Sequence, residues 1–310
     1  MKYGLGIVLS VCLCAVVTGC GTVALSSHPA GPNSTATTQT KSTSRDSSAG
    51  SAAAPVKSKS ASKAVKVAAK STVSREPAAQ VRTSPPKQQP IVLSLGSQGT
   101  NVERLQELLA VTGYLPLEWT AGQNSWHWKY ASTPKSLVSL WSPTKYTLLT
   151  KSAVMTFEEV HQLAVDGVAG PQVFAALKSA AAAHRTSPYG FTYVQVSLSV
   201  PESLSLWHNG QIIIKSLANS GIPQSPTVTG TYPVYLQYLS QTMKGKDPNG
   251  QHYSDPGVPY VSYFYGGEAV HGFVRSQYGY PQSLGCVELP IPAAKQVWPY
   301  MHLGTLVNIT

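Results

Sequence analysis

The sequence predicts a multidomain protein in which a disordered N-terminal tether leads to a small three-helix domain and then to an all-β domain. Three observations support this architecture. Residues 21–90 are rich in Ser, Ala, Thr, Lys and Pro, residues 91–185 carry apolar side chains at helical spacing, and residues 191–310 carry short alternating runs broken by Gly, Pro and Asn. A chain of 310 residues is long enough for two modest domains.

Residues 1–20 have the pattern of an export signal. Lys2 precedes an apolar run from Tyr3 to Val17 that is too short for an ordinary membrane-spanning helix. The run ends in Val17-Thr18-Gly19-Cys20, which resembles a bacterial lipobox and implies that Cys20 is lipidated. We therefore expect an anchor on the outer face of the bacterial cytoplasmic membrane, in contact with the cell wall. The alternative is a plain signal peptide, and both place the protein outside the cytoplasm.

The segment 21–90 has too few large apolar residues to offset the entropy of ordering, so we interpret it as a disordered tether. The net charge of +10 belongs mainly to this segment. Its lysines either attract anionic lipid and wall polymers or simply keep the tether solvated. The charges are scattered without interleaved aromatic residues, which argues against nucleic acid as a partner.

The cysteine count leaves one thiol in the mature chain. Cys12 and Cys14 leave with the signal and Cys20 is used by the lipid, so only Cys286 remains and no internal disulfide forms. An unpaired thiol in an oxidising compartment is exposed to stray oxidation, and its presence needs a reason. That reason is either burial or chemistry.

Residues 91–185 contain three predicted helices. Thr100 and Glu103 have the spacing of a capping box at the start of the first helix, which ends at Gly113. The second covers about residues 151–163, and the third begins at Pro171, a residue suited to the first helical turn. The connection 116–147 holds four of the six tryptophans, whose rings either stack on sugars or bury each other to order a long loop.

This region resembles the three-helix peptidoglycan-binding domain that accompanies many wall enzymes. The motifs are Leu95-Gly96-Ser97-x-Gly99, Val102-x-x-Leu105-Gln106, Gly113-Tyr114, Ala153-Val154-x-x-Phe157 and Asp166-Gly167-Val168-x-Gly170-Pro171. The resemblance implies affinity for the glycan of the wall. Glu158 departs from it, because the family usually has glutamine there, and so does the long insertion 116–147.

The β region holds a histidine and a cysteine that suit nucleophilic catalysis. A cysteine acts as the thiolate, and a histidine within hydrogen-bond reach is the usual means of forming it. Cys286 lies fifteen positions after His271, and the Gly and Pro between them exclude one helix, so we expect a hairpin-like return to bring the pair together. Gly285 allows a tight turn that presents backbone N–H groups to an oxyanion. The alternative is a small buried cysteine and an unrelated surface histidine.

The region 191–310 also resembles the L,D-transpeptidase (YkuD-type) catalytic domain. The motifs are Trp207-x-Asn209-Gly210, Ser220-Gly221, Pro226-Thr227-x-Thr229-Gly230-Thr231-Tyr232, Gly266-Gly267, His271-Gly272 and Ser283-x-Gly285-Cys286-Val287. The resemblance implies a β-sandwich-like fold with Cys286 as nucleophile, His271 as general base and a Gly272 carbonyl that orients the imidazole. It also implies oxyanion and substrate-binding roles for Ser283, Leu284, Gly285, Tyr260, Gly267 and Glu288.

The implied reaction is acyl transfer on peptidoglycan. Cys286 attacks a stem tetrapeptide, D-alanine leaves, and the amine of a neighbouring stem resolves the thioester to form a cross-link. Resolution by water would give an L,D-carboxypeptidase, and a non-catalytic wall-binding lipoprotein is a further alternative. Leu284 stands where the family usually has histidine and Glu288 where it usually has arginine, so the substrate preference is expected to differ from the family norm.

We expect no metal and no cofactor. His252, His271 and His302 share a domain with acidic residues, but no pair has the short spacing of zinc ligands. The expected partners are stem peptides, glycan and, through Cys20, the membrane, and the protein is expected to be a monomer.

Overall fold

The computed structural model describes residues 89–120, 122–123 and 125–310. The predicted export signal 1–20, the lipidation site Cys20 and nearly all of the tether 21–90 lie outside these residues. The described residues belong to one compact unit. Among them, no helix combines the length and the apolar character needed to cross a membrane.

The helical part is built on three main helices and one short one. They are α1 (Thr100–Val111), α2 (Lys135–Val138), α3 (Leu148–Val160) and α4 (Pro171–Ala182). The apolar stripes predicted from the sequence form the core, in which Leu105, Phe157 and Leu177 are fully buried. Pro171 occupies the first turn of α4, as predicted.

The predicted capping box at the start of α1 is wrong. Thr100 is already helical, the N-cap is Gly99, and no side chain caps this end. Gly99 enters the helix at φ 101°, in the region of backbone space that favours glycine. Thr100 therefore lies one position too late for its hydroxyl to act as the N-cap acceptor.

The insertion 116–147 forms a hairpin, β1 (Leu117–Thr120) with β2 (Ser125–Trp128), followed by α2. Of the two interpretations of its tryptophans, the structure supports mutual packing for three. The ring of Trp126 lies 4.9 Å from that of Trp119 and 5.0 Å from that of Trp141. These contacts order the hairpin against the helices.

The C-terminal part is a two-layer β structure. One sheet has five strands, in the order β5 (Gln211–Leu217), β4 (Ser203–His208), β3 (Thr192–Ser197), β11 (Leu306–Ile309) and β6 (Gly230–Pro233). The other has four, in the order β10 (Val287–Leu289), β9 (Glu268–Gly272), β8 (His252–Tyr265) and β7 (Leu236–Lys246). A shared core lies between them, with Val194 and Leu206 from the first sheet against Phe264, Val270 and Val287 from the second. The expected fold class, a helical part followed by a sheet-rich catalytic-type domain, is confirmed.

The strands of this part alternate with glycine- and proline-containing turns, as the sequence predicts. A helix α5 (Ile291–Val297) and a 3₁₀ helix (Trp298–Tyr300) lie between β10 and β11.

The helical and β parts share one apolar core. Tyr193, Trp207 and Leu306 of the five-stranded sheet belong to the same buried cluster as the residues of α1, α3 and α4. Polar contacts join the parts as well, since Ser152 Oγ donates to the Gly304 carbonyl at 2.7 Å and the Leu303 N–H donates to a Glu159 carboxylate oxygen at 3.2 Å. The two predicted domains therefore pack against each other directly.

Candidate active site

The cavity that contains Cys286 opens beside the four-stranded sheet and has a volume of about 440 Å³. Its lining includes five residues singled out from the sequence: Gly267, His271, Ser283, Leu284 and Glu288. Met243, Tyr253, Asp255, Glu268, Phe273 and Arg275 complete it. The fold thus brings the predicted nucleophile, base and turn to one concave surface.

Strand pairing explains why His271 and Cys286 face the same way. Strands β9 and β10 are adjacent, with Val287 opposite Val270 and Glu288 opposite His271. Side chains alternate along a strand, so the valines enter the core while His271, Glu288 and Cys286 share the cavity face. His271 lies one strand across from Cys286 and about two residues along.

The expected hairpin-like return between His271 and Cys286 is wrong, because β9 and β10 run parallel. Parallel neighbours need a crossover of about a dozen residues or more, and residues 273–286 supply it. Both side chains still line one cavity, but through a long connection that also brings Arg275 and the Ser283 turn to it.

His271 is held in a defined tautomer. Its Nδ1 lies 3.1 Å from the Gly272 carbonyl oxygen, which can only accept, so Nδ1 carries the proton and Nε2 is left as a base. The ring is 3% exposed, and this burial lowers the pKa of His271 below its usual range. The imidazole is therefore neutral at pH 7 and competent to accept a proton.

Cys286 reaches the cavity with part of its surface. Burial is the largest influence on its thiol and raises the pKa to about 12, with the Glu288 and Glu268 carboxylates acting in the same direction. A backbone hydrogen bond from Ala269 opposes them. Both shifts favour a neutral thiol and a neutral imidazole in the unliganded cavity, where Cys286 Sγ lies 3.9 Å from the Gly267 carbonyl oxygen.

The turn before Cys286 has the geometry of an oxyanion loop. Gly285 adopts φ +114°, and its N–H donates a hydrogen bond to Ser283 Oγ at 3.2 Å. The Ser283 hydroxyl in turn donates to the Cys286 carbonyl at 2.5 Å. Within the described part of the chain, the backbone N–H groups of Leu284 and Cys286 have no partner, which leaves them as the free donors of the turn.

A neighbouring segment fixes this turn. The N–H groups of Gln282 and Ser283 both donate to the Ser220 carbonyl, at 2.8 and 2.9 Å. Ser220 is fixed by the buried carboxylate of Glu202, which accepts from its N–H and its hydroxyl at 2.7 Å each. Charge-assisted bonds of this length are the stronger kind, so the base of the turn is rigid.

Glu288 does not present a free carboxylate to the cavity. The Arg275 guanidinium binds it in a bidentate manner, with Nε at 2.8 Å from Oε2 and Nη2 at 2.7 Å from Oε1. The carboxyl of Glu288 lies on the same face as His271 and is 4% exposed. The sequence predicts a negative charge at Glu288, where the resembled family usually has arginine. In the structure, Arg275 neutralises that charge.

The predicted site residues Leu284 and Tyr260 differ in their relation to the cavity. Leu284 is one of its lining residues, and its carbonyl accepts a hydrogen bond from Ser225 Oγ at 3.0 Å. Tyr260 is outside the cavity lining and packs against the core between the sheets, where its ring centroid lies 6.4 Å from that of Trp298. Its backbone has a positive φ of 58°.

Three charged residues of the cavity were not singled out from the sequence as site residues. Arg275, Asp255 and Glu268 are isolated charges without a motif, and only the tertiary fold brings them to Cys286. Glu268 packs directly against Gly285, since a Cβ built there would lie 3.3 Å from its Cγ. Its other contact is the Val228 N–H, which donates to Oε2 at 3.0 Å.

Two family models match the chain. Residues 192–309 match the L,D-transpeptidase (YkuD) catalytic domain, and residues 135–177 match a putative peptidoglycan-binding domain. The C-terminal part is therefore a YkuD-type catalytic domain, preceded by a domain of the peptidoglycan-binding type. Among curated proteins, no relative matches this chain.

Solved structures of L,D-transpeptidases are similar to this chain. The catalytic domain from E. faecium is 25% identical over 38% of this chain and 96% of its own, with a TM-score of 0.36. The enzyme from Xylanimonas cellulosilytica is 26% identical over 73% and 100%, with a TM-score of 0.33. L,D-transpeptidase 3 from Mycobacterium tuberculosis is 19% identical over 41% and 63%, with a TM-score of 0.35. The family assignment rests on the two sequence models.

Proposed function

We propose that the protein is a peptidoglycan L,D-transpeptidase that uses Cys286 as its nucleophile. The observation that carries this proposal is the shared cavity face of Cys286 and His271, with the His271 tautomer fixed by the Gly272 carbonyl. A non-catalytic wall-binding protein would need neither a base with a free Nε2 nor a thiol that opens to a cavity.

In the first half-reaction, the Cys286 sulfur attacks the carbonyl carbon of the bond that precedes the terminal D-alanine of a stem tetrapeptide. The thiol proton moves to His271 Nε2 as the carbon–sulfur bond forms, because both groups are neutral in the resting site. The tetrahedral oxyanion accepts hydrogen bonds from the N–H groups of Leu284 and Cys286. When the carbon–nitrogen bond breaks, the imidazolium returns the proton to the leaving amine, and a thioester remains on Cys286.

In the second half-reaction, an amine of a neighbouring stem attacks the thioester carbonyl. His271 takes a proton from the amine and returns it to the sulfur, so the thiol is restored and a peptide cross-link is formed. Asp255 and Glu268 add negative charge to the cavity, which favours an ammonium-bearing acceptor over a second anion. Water at the same position would make the protein an L,D-carboxypeptidase.

The other parts of the chain support this activity. The peptidoglycan-binding domain would hold the substrate polymer near the cavity, and the sequence pattern around Cys20 would anchor the tether to the outer face of the cytoplasmic membrane. Residues 21–90 would then set the reach of the catalytic domain into the wall.

A turnover assay tests the function. The protein is incubated with disaccharide tetrapeptide, and D-alanine, cross-linked dimer and tripeptide product are measured by liquid chromatography with mass detection. We expect D-alanine and dimer from the wild type and neither from Cys286→Ala or His271→Gln. D-alanine with tripeptide alone would assign carboxypeptidase activity, and the absence of all products from a folded wild type would contradict catalysis.

A further inference from the structure

Arg275 contacts both ends of the segment that carries Cys286. Its guanidinium binds the Glu288 carboxylate in a bidentate manner after the cysteine, and Nη2 also donates to the Gln282 carbonyl before it, at 3.3 Å. The guanidinium carbon lies 4.7 Å from the centroid of the Phe273 ring, which fixes its plane. One side chain thus spans the turn from Gln282 to Glu288.

The backbone of this segment is pinned on its far side. Glu288 exchanges two backbone hydrogen bonds with Asn219, each 2.9 Å long. Asn219 is itself fixed, because its side-chain oxygen accepts the Gly279 N–H at 2.9 Å. The backbone of Glu288 is therefore fixed, and its buried carboxylate needs a partner in place.

Several ionisable groups surround the Cys286 thiol. Glu268 and His271 come from β9, Glu288 from β10, Tyr253, Asp255 and Tyr263 from β8, and Arg275 from the crossover. Three of these groups are carboxylates, and Arg275 is the only Lys or Arg side chain that lines the described cavity. Without it, the charge next to the thiol would be entirely negative.

We propose that Arg275 is a positioning residue of this site, which fastens both ends of the Cys286 turn and neutralises Glu288 beside the thiol. The guanidinium reaches the cavity from the crossover between β9 and β10, and Glu288 orients it. The inference rests on the proposed function in that Cys286 is the reacting group.

The test measures thiol chemistry and needs no wall substrate, so its failure and the failure of the proposed function are distinguishable. The full chain is treated with iodoacetamide for one fixed time at a series of pH values from about 7 to 10, all below the thiol pKa of about 12. Alkylation of Cys286 is followed by peptide mass mapping, and the midpoint is the pH at which half of Cys286 is alkylated in that time. The variants are Arg275→Gln, Glu288→Gln and the double variant, with Arg185→Gln as a matched arginine control on the helical part.

In Arg275→Gln, the Glu288 charge is left uncompensated next to the sulfur. We expect the alkylation midpoint to rise by about one pH unit, so that the rate below the midpoint falls about tenfold. Glu288→Gln removes a negative charge and lowers the midpoint. The double variant restores the wild-type midpoint or lowers it further, and Arg185→Gln leaves it unchanged.

Equal midpoints in the wild type and Arg275→Gln would overturn the proposal. A double variant that stays shifted like Arg275→Gln would overturn it too, because loss of packing would then explain the effect. If Arg275→Gln fails to fold by circular dichroism, Glu288→Gln decides alone, since it leaves Arg275 partly exposed to solvent. An unchanged midpoint in that variant contradicts the role.

Discussion

Glu158 is a buried carboxyl whose ionisation destabilises the helical core. Its side chain is fully buried, and Oε2 accepts the Gly167 N–H at 2.9 Å while Oε1 has no partner in the described part of the chain. Burial is the largest influence and raises its pKa from 4.5 to about 7, with nearby Asp166 adding to the shift. The folded chain therefore keeps a proton that the unfolded chain loses between these values.

The sign and size of the effect follow from linkage. Because the native state binds more protons in this window, stability is greatest at low pH and falls as the pH rises from 4.5 to about 7. At about 1.4 kcal/mol per pH unit, the loss is about 3 kcal/mol. Glu158→Gln keeps an oxygen for the Gly167 N–H and removes the titration, and its amide can donate toward Asp166.

The assay is urea unfolding of wild type and Glu158→Gln at pH 4.5 and pH 8. We expect the variant to gain about 3 kcal/mol relative to the wild type between the two pH values, because all other titrating groups cancel in the comparison. Glu118→Gln, a change at an exposed position of β1, serves as the control and should show no such gain. A difference between variant and wild type that does not change with pH would refute the reasoning.

Two further predictions concern the interface and the base. Gly304→Ala should destabilise the protein by about 2 kcal/mol or more in urea unfolding, because φ is +91° and the new Cβ would lie 2.5 Å from the Ser152 carbonyl oxygen. Gly250→Ala, where the new Cβ would meet no atom within 4 Å, should cost less. Equal losses in the two variants would contradict this prediction. The lowered pKa of His271 predicts that the rate of Cys286 acylation is constant from pH 6.5 to 8 and falls only at lower pH. A rate that still rises steeply through pH 7 would contradict a His271 imidazole that is neutral in the unliganded site.

Much of the fold follows from patterns within single segments. Helical spacing predicts that residues 91–185 form helices with a buried apolar face, which includes Leu105, Phe157 and Leu177, and alternation predicts the strands of the β part. The cap of α1 was misplaced by one residue because Gly99 and Thr100 are both plausible helix entries, and the choice depends on a positive φ that the sequence alone does not fix.

The sequence predicts the site only in part. The residues around Cys286 are close in sequence, whereas the charged residues of the cavity come from distant segments. Ser283, Gly285 and Cys286 follow from residue types within one turn, and His271 follows from its suitability as a base for the cysteine. The direction of the connection does not, since fifteen residues allow a hairpin or a crossover, and the structure has the crossover. Arg275 was missed because an ion pair across thirteen residues has no periodic signature.

The central claim is that Cys286 forms the acyl-enzyme, and the most direct measurement is intact-mass analysis with peptide mapping after incubation with disaccharide tetrapeptide. We expect an adduct equal to the substrate minus D-alanine, located on Cys286 and absent from Cys286→Ala. An adduct located elsewhere, or released D-alanine with an unchanged amount in Cys286→Ala, would contradict the account.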